Sequence, residues 1–183
     1  MLRKILSAIK YSLKHDSLPM IRRYIIIGAF DGITYAVSTI TAIAITGIDF
    51  ERSVLAIYTG LFAIAISSAW NSLVVEAKEK GLELKRLEQQ VLRSLKGTIY
   101  DYAIKFSIIF SVISHGVSPL IGAIPILIYT YTKHLSLTIM ISLISLGILG
   151  LFYEGNTIEK LKSVGVMMAA GVFAILVAIF LNH

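Results

Sequence analysis

Five apolar blocks follow one another along this 183-residue chain, at about 24–48, 54–75, 102–129, 135–153 and 164–181. A helix that crosses a bilayer needs roughly 20 apolar residues, and each block is close to that length. They are apolar nearly all round, without the polar face that a surface helix shows at 3.6-residue spacing. Inside a bilayer a segment must satisfy its own backbone hydrogen bonds, so blocks of this kind read as helices. With 56% hydrophobic residues and a mean hydropathy of +0.81, the chain is not that of an ordinary soluble domain. The expectation is an all-α integral membrane protein with five transmembrane helices in one unit at 22–183.

The charges fix an orientation. The net charge is +6, and the basic residues lie almost entirely outside the apolar blocks. That pattern fits anionic headgroups and topology rather than nucleic acid. The N-terminal stretch, the connection between blocks two and three, and the connection between four and five hold nearly all the lysines and arginines. The opposite connections hold only Arg52 and Lys133. The positive-inside rule then puts the N-terminus in the cytoplasm and the C-terminal His183 outside. The chain has no cysteine, hence no disulfide and no thiolate metal site.

Residues 1–18 read as an amphipathic helix lying in the cytoplasmic interface rather than a signal peptide. Leu2, Ile5, Leu6, Ile9 and Leu13 share one face, Arg3, Lys4, Lys10 and Lys14 the other, and Asp16-Ser17-Leu18-Pro19 ends it. The second span is expected to continue into the cytoplasm as a helix at 76–96, with Leu84, Leu87, Val91 and Leu95 at spacings of three and four. Glu76, Glu79 and Glu83 share a face there and form a candidate cation-collecting surface. The third span opens with an Asp101–Lys105 pair. It carries Ser114-His115-Gly116-Val117-Ser118-Pro119 at mid-depth and Pro125 further on, a pattern for a kinked helix lining a cavity. His115 titrates near neutral pH and is a candidate for proton coupling. Gly165, Ala169 and Gly171 give the fifth span a small-residue packing face.

The first span holds the strongest functional signal. Asp31 sits within Gly28-Ala29-Phe30-Asp31-Gly32. A carboxylate inside a spanning helix costs roughly 2.5–3.5 kcal/mol on insertion scales, so its default reading is functional. Gly28 and Gly32 flatten one face and invite another helix, such as that of a second copy, to come close. Thr34 and Tyr35 on the same span, and Ser67, Ser68 and Asn71 on the second, are candidate pathway groups around that acid.

The stretch from Arg23 through Gly28, Asp31 and Gly32 resembles the first-span motif of the vacuolar iron transporter family, roughly R-D-x-x-x-G-x-x-D-G. Gly122-Ala123-Ile124-Pro125 is similar to its third-span pattern. The resemblance implies a homodimer, a pathway between the two first spans, Asp31 as a ligand of Fe²⁺ or Mn²⁺, and exchange against protons. It implies no bound cofactor beyond the transported ion. The chain departs from the family at Tyr24, where the motif has an acid. It departs again at Ala63 and Asn71, which stand for a span-two glutamate and methionine. One basic helix replaces the acidic metal-binding insertion.

Asp31 and Asn71, with Glu76, Glu79 and Glu83, are therefore the expected metal-facing residues. The alternative is a membrane scaffold or lipid-interacting protein that keeps the fold without transport. An enzyme is not expected: the sequence has no phosphate-binding glycine loop, no His-x-x-x-His pair and no nucleophile–base set.

Overall fold

The helix that carries Asp31 is the axis of the molecule. A computed structural model describes residues 2–12 and 17–181, and the described residues contain helices and turns but no strand. The elements are α1 (Leu2–Ser12), α2 (Leu18–Thr46), α3 (Phe50–Val91), α4 (Ile99–Val117), a 3-10 turn (Ser118–Gly122), α5 (Ala123–Thr132), α6 (Leu135–Leu151) and α7 (Thr157–Phe180). α2 packs against every later element. One core joins its Ala36, Ile40 and Ile43 to Ile57 and Leu61 of α3 and Ile126 of α5. A second joins Ile26, Ala29 and Ile33 to Leu146 and Leu149 of α6 and Met167 of α7.

Four helical segments are long and apolar enough to cross a membrane: α2, α3, α7, and the run Ile99–Thr132 formed by α4, the 3-10 turn and α5. α6 is equally apolar but has 17 residues. At 1.5 Å per residue it measures about 25 Å, a little less than the ~30 Å hydrocarbon core. The chain is a multi-pass, all-helical membrane protein.

Local chemistry moves several expected boundaries. α2 starts at Leu18 rather than near Tyr24, because Pro19 falls in its first turn, where a missing N–H costs nothing. α3 is one unbroken helix of 42 residues, about 63 Å at the standard rise, so its second half runs on past the bilayer's thickness. It ends at Val91 rather than Lys96. Leu92 turns left-handed, and the Glu88 carboxylate accepts hydrogen bonds from the Leu95 N–H at 2.8 Å and the Ser94 hydroxyl at 3.0 Å. α7 starts at Thr157 rather than 164, because Asn156 and Glu159 form a reciprocal capping box. The expected kink is the 3-10 turn, which Pro119 opens.

α1 is held to α4 by its small side. Ala8 and Ser12 are buried, Tyr11 meets Tyr100 edge-on at 5.3 Å, and Leu6 stays exposed. The side chains of residues 2–5 and all of Met1, Leu13, Lys14, His15, Asp16, Asn182 and His183 lie outside the described residues. The small-residue contact between α6 and α7 is carried mainly by α6. A Cβ on Gly150 would stand 2.6 Å from the Val164 backbone, and Gly171 abuts Leu143 and Leu146. Gly165 has nothing within 4 Å of such a Cβ and Ala169 is exposed, so those two expected packing residues face outward.

Ion pairs mark the two ends of the bundle. At one end Arg22 pairs with Glu154 of the α6–α7 turn, and Arg23 with Glu76 of α3. At the other, Lys133 after α5 pairs with Glu51 of α3. The first is the basic end: Arg52 and Lys133 are the basic side chains of the opposite one.

Candidate functional site

Tyr24, Asp31 and Ser38 recur every seven residues on α2 and so share a stripe. From Asp31 to Ser38 that stripe lies on an open side of α2, whereas Tyr24 is buried. α3 flanks it on one edge and α7 on the other. Asp31, Thr34, Tyr35 and Ser38 form the floor of a groove of about 390 Å³, with Ile64 and Ala174 as its walls. Through Ser38 and Ala174 this groove runs into a second one of about 660 Å³, which reaches Leu181 toward the opposite end. Toward the basic end a cleft of about 530 Å³ opens over Arg22, Arg23 and Ile26, between Glu76 of α3 and Glu154. The groove and the second hollow form a trench along α2, and the cleft lies beyond it toward the basic end.

Asp31 is half-buried in this trench, at its end nearer the cleft. Among the described residues no lysine or arginine lies within ion-pair distance of it. The hydroxyls beside it are oriented by their own helix. Thr34 donates to the Phe30 carbonyl at 2.7 Å, and Ser38 to the Thr34 carbonyl at 2.7 Å. Their lone pairs are left to face the groove, so the floor presents a carboxylate and hydroxyl oxygens, a hard ligand set.

Gly28 and Gly32 are used within the chain. A Cβ on Gly28 would collide with the Ser118 hydroxyl, and one on Gly32 with the Pro119 carbonyl. The Ser118 hydroxyl also donates to the Tyr24 carbonyl at 3.1 Å. The glycine pair therefore seats the 3-10 turn against α2, not the helix of a second copy. The face open to another molecule is the trench.

Other expected residues separate. Ser67 and Asn71 are exposed on α3, and Asn71 does not line the Asp31 groove. Ser68 is buried, with its carbonyl near His115. His115 lies behind the trench, its ring 4.8 Å from that of Tyr24 and within electrostatic reach of Asp31. Both of its ring nitrogens are buried without a hydrogen bond of full geometry, and the Ser68 backbone is the polar group beside them.

Glu76, Glu79 and Glu83 all line the basic-end cleft, in three different states. Glu76 is 2% exposed and tied to Arg23 and Tyr24, Glu79 is exposed, and Glu83 is bonded to Lys80 at 2.8 Å. Among the described residues no three histidine, aspartate or glutamate side chains are grouped closely enough to hold a metal ion.

No family model, no curated protein and no solved structure matches this chain. Its site is therefore read from its own geometry.

The Tyr24–Glu76 contact was not expected from sequence, although a signal existed. Tyr24 stands on the heptad stripe of Asp31, and a buried tyrosine hydroxyl usually finds a hydrogen-bond partner.

Proposed function

We propose that the chain is a transporter of divalent metal cations, Fe²⁺ or Mn²⁺ in kind, and that it works as a homodimer with the trench of one copy closed by that of the other. In this reading all five apolar helices span the bilayer, α6 included, with the basic end and N-terminus in the cytoplasm and the C-terminus outside. Asp31 from each copy faces the enclosed path, and proton exchange recharges it.

The observation that carries the proposal is the position of Asp31. It is an acid at the middle of a membrane helix, on an open side of that helix, with no lysine or arginine paired to it among the described residues. Left facing lipid it would cost roughly 2.5–3.5 kcal/mol. A second copy laid over the trench removes that cost and doubles the ligands, two carboxylates with hydroxyl oxygens beside them. That set suits hard divalent ions better than soft ones. The resemblance of the Gly28–Gly32 stretch to the iron transporter motif supports the same reading.

A second reading, a non-transporting membrane scaffold, draws on one observation: a single chain groups no three candidate ligands among its described residues. Uptake of Fe²⁺ or Mn²⁺ into proteoliposomes separates the two. The transporter reading expects uptake by the wild-type chain that Asp31→Asn abolishes. Uptake unchanged by Asp31→Asn, or no uptake of either ion, overturns it.

A further inference from the structure

The trench is polar at one end and hydrocarbon at the other. Asp31 shares the polar end with the Thr34 and Ser38 hydroxyls. Both hydroxyls donate to carbonyls of their own helix, so toward the groove they act as acceptors. The Tyr35 hydroxyl lies against Gly60 of α3. Beyond Ser38 and Thr39 the lining passes to Ala42 of α2 and to Phe173, Val177 and Leu181 of α7. Ala42 stands eleven residues past Asp31, about 16 Å along the axis. No lysine or arginine lines either hollow. The three helices around the trench, α2, α3 and α7, are each long and apolar enough to cross a membrane, so in a bilayer an open trench meets hydrocarbon.

We propose that the trench of a single chain binds an amphiphilic amine, with its protonated amino group at Asp31 and its apolar tail along Phe173, Val177 and Leu181. An alkylammonium has three N–H donors at one end and no acceptor. Asp31, Thr34 and Ser38 present acceptors to it, and the ion pair offsets the cost of an unpaired carboxylate at membrane depth. The two hollows, about 390 and 660 Å³, are of the size of small-molecule sites, which join mostly apolar walls to a few placed polar groups. A divalent metal ion needs roughly six oxygens around it, which one trench does not group. The metal reading therefore requires a second copy. The amine site requires one, so it goes beyond that reading without resting on it. A phosphoethanolamine lipid is a poorer occupant, because Asp31 repels the phosphate beside its ammonium.

The probe is dodecylamine carrying a diazirine at the tail end, photolysed with the intact protein in phosphatidylcholine nanodiscs. Peptide mass spectrometry then maps the adducts. They should concentrate on residues 173–181 of α7. Excess dodecylamine should suppress them, and dodecanol, with the same tail and no charge, should not. Asp31→Asn should lower their yield about tenfold, the effect of losing one charge-assisted hydrogen bond. Asp31→Glu, which keeps the charge, should retain the yield. Ala174→Phe fills the junction of the two hollows, leaves the acid in place, and should also lower it. Adducts that persist in Asp31→Asn or Ala174→Phe overturn the proposal, as does a loss in Asp31→Glu equal to that in Asp31→Asn. Suppression by dodecanol as strong as that by dodecylamine overturns it too. So does suppression by phosphatidylethanolamine in the nanodisc, which would give the site to a lipid headgroup. The adducts need no ion uptake. Amine binding without uptake sinks the transporter reading alone, and uptake without amine binding sinks the amine site alone.

Discussion

The Pro119 carbonyl occupies the place where a Cβ on Gly32 would stand, its carbon 2.7 Å from that position. Backbone meets backbone here, so neither side can yield by a rotamer change. Gly32→Ala should destabilise the protein by about 1–3 kcal/mol, the usual cost of overpacking. Gly81, in the projecting half of α3, has nothing within 4 Å. Gly81→Ala should be neutral or stabilise by up to about 1 kcal/mol through helix propensity. Thermal unfolding in one detergent compares the two, and equal midpoints would refute the contact.

Glu76 and Glu51 both form ion pairs at 3.3 Å, yet they should matter very differently. Glu76 is 2% exposed and takes a second hydrogen bond from Tyr24, whereas the Glu51 side chain is 79% exposed. Glu76→Ala should cost about 1–3 kcal/mol, since it strands the buried Tyr24 hydroxyl. Glu51→Ala should cost less than about 1 kcal/mol and less again in high salt. Midpoints of thermal unfolding at low and high salt test both.

His115 offers a test of what lies behind the trench. Its ring packs on Tyr24. His115→Phe keeps the ring contact and removes two buried nitrogens that make no hydrogen bond of full geometry, so it should leave stability unchanged or raise it. A fall of the unfolding midpoint would show that the imidazole has a polar partner in the bilayer.

The capping box that starts α7 gives a local prediction. Asn156 accepts from the Glu159 N–H at 2.9 Å, and Glu159 returns the bond to the Asn156 N–H at 2.9 Å. Asn156→Ala should cost about 1 kcal/mol and fray the first turn of α7. Faster hydrogen exchange confined to residues just after 156 would confirm it.

Periodicity and hydropathy made the helices legible. Length and apolarity located the four helical segments long enough to cross a membrane and the shorter α6, and the spacing of Leu84, Leu87 and Val91 fits the long run of α3. Boundaries shifted where a cap or an early proline outweighed hydropathy, as at Pro19 and Asn156. The acid at Asp31 was legible because its cost is intrinsic to the residue. Its surroundings were not. Gly28 and Gly32 announced a close contact, but a pair of glycines does not say whether a second copy or the chain's own 3-10 turn fills it. Asn71 was placed near Asp31 by motif spacing, yet helix rotation set it on an exposed side of α3. The same rotation buried Glu76 against Tyr24, a contact between residues 52 positions apart.

The central claim is that two copies of Asp31 face one cation across a closed trench. Crystals of the intact protein grown with Mn²⁺ and measured at a wavelength where manganese scatters anomalously test it directly. The account predicts an anomalous peak between the Asp31 carboxylates of two copies, lost in Asp31→Asn. Manganese bound elsewhere, or Asp31 facing lipid in a chain with no second copy over its trench, would contradict it.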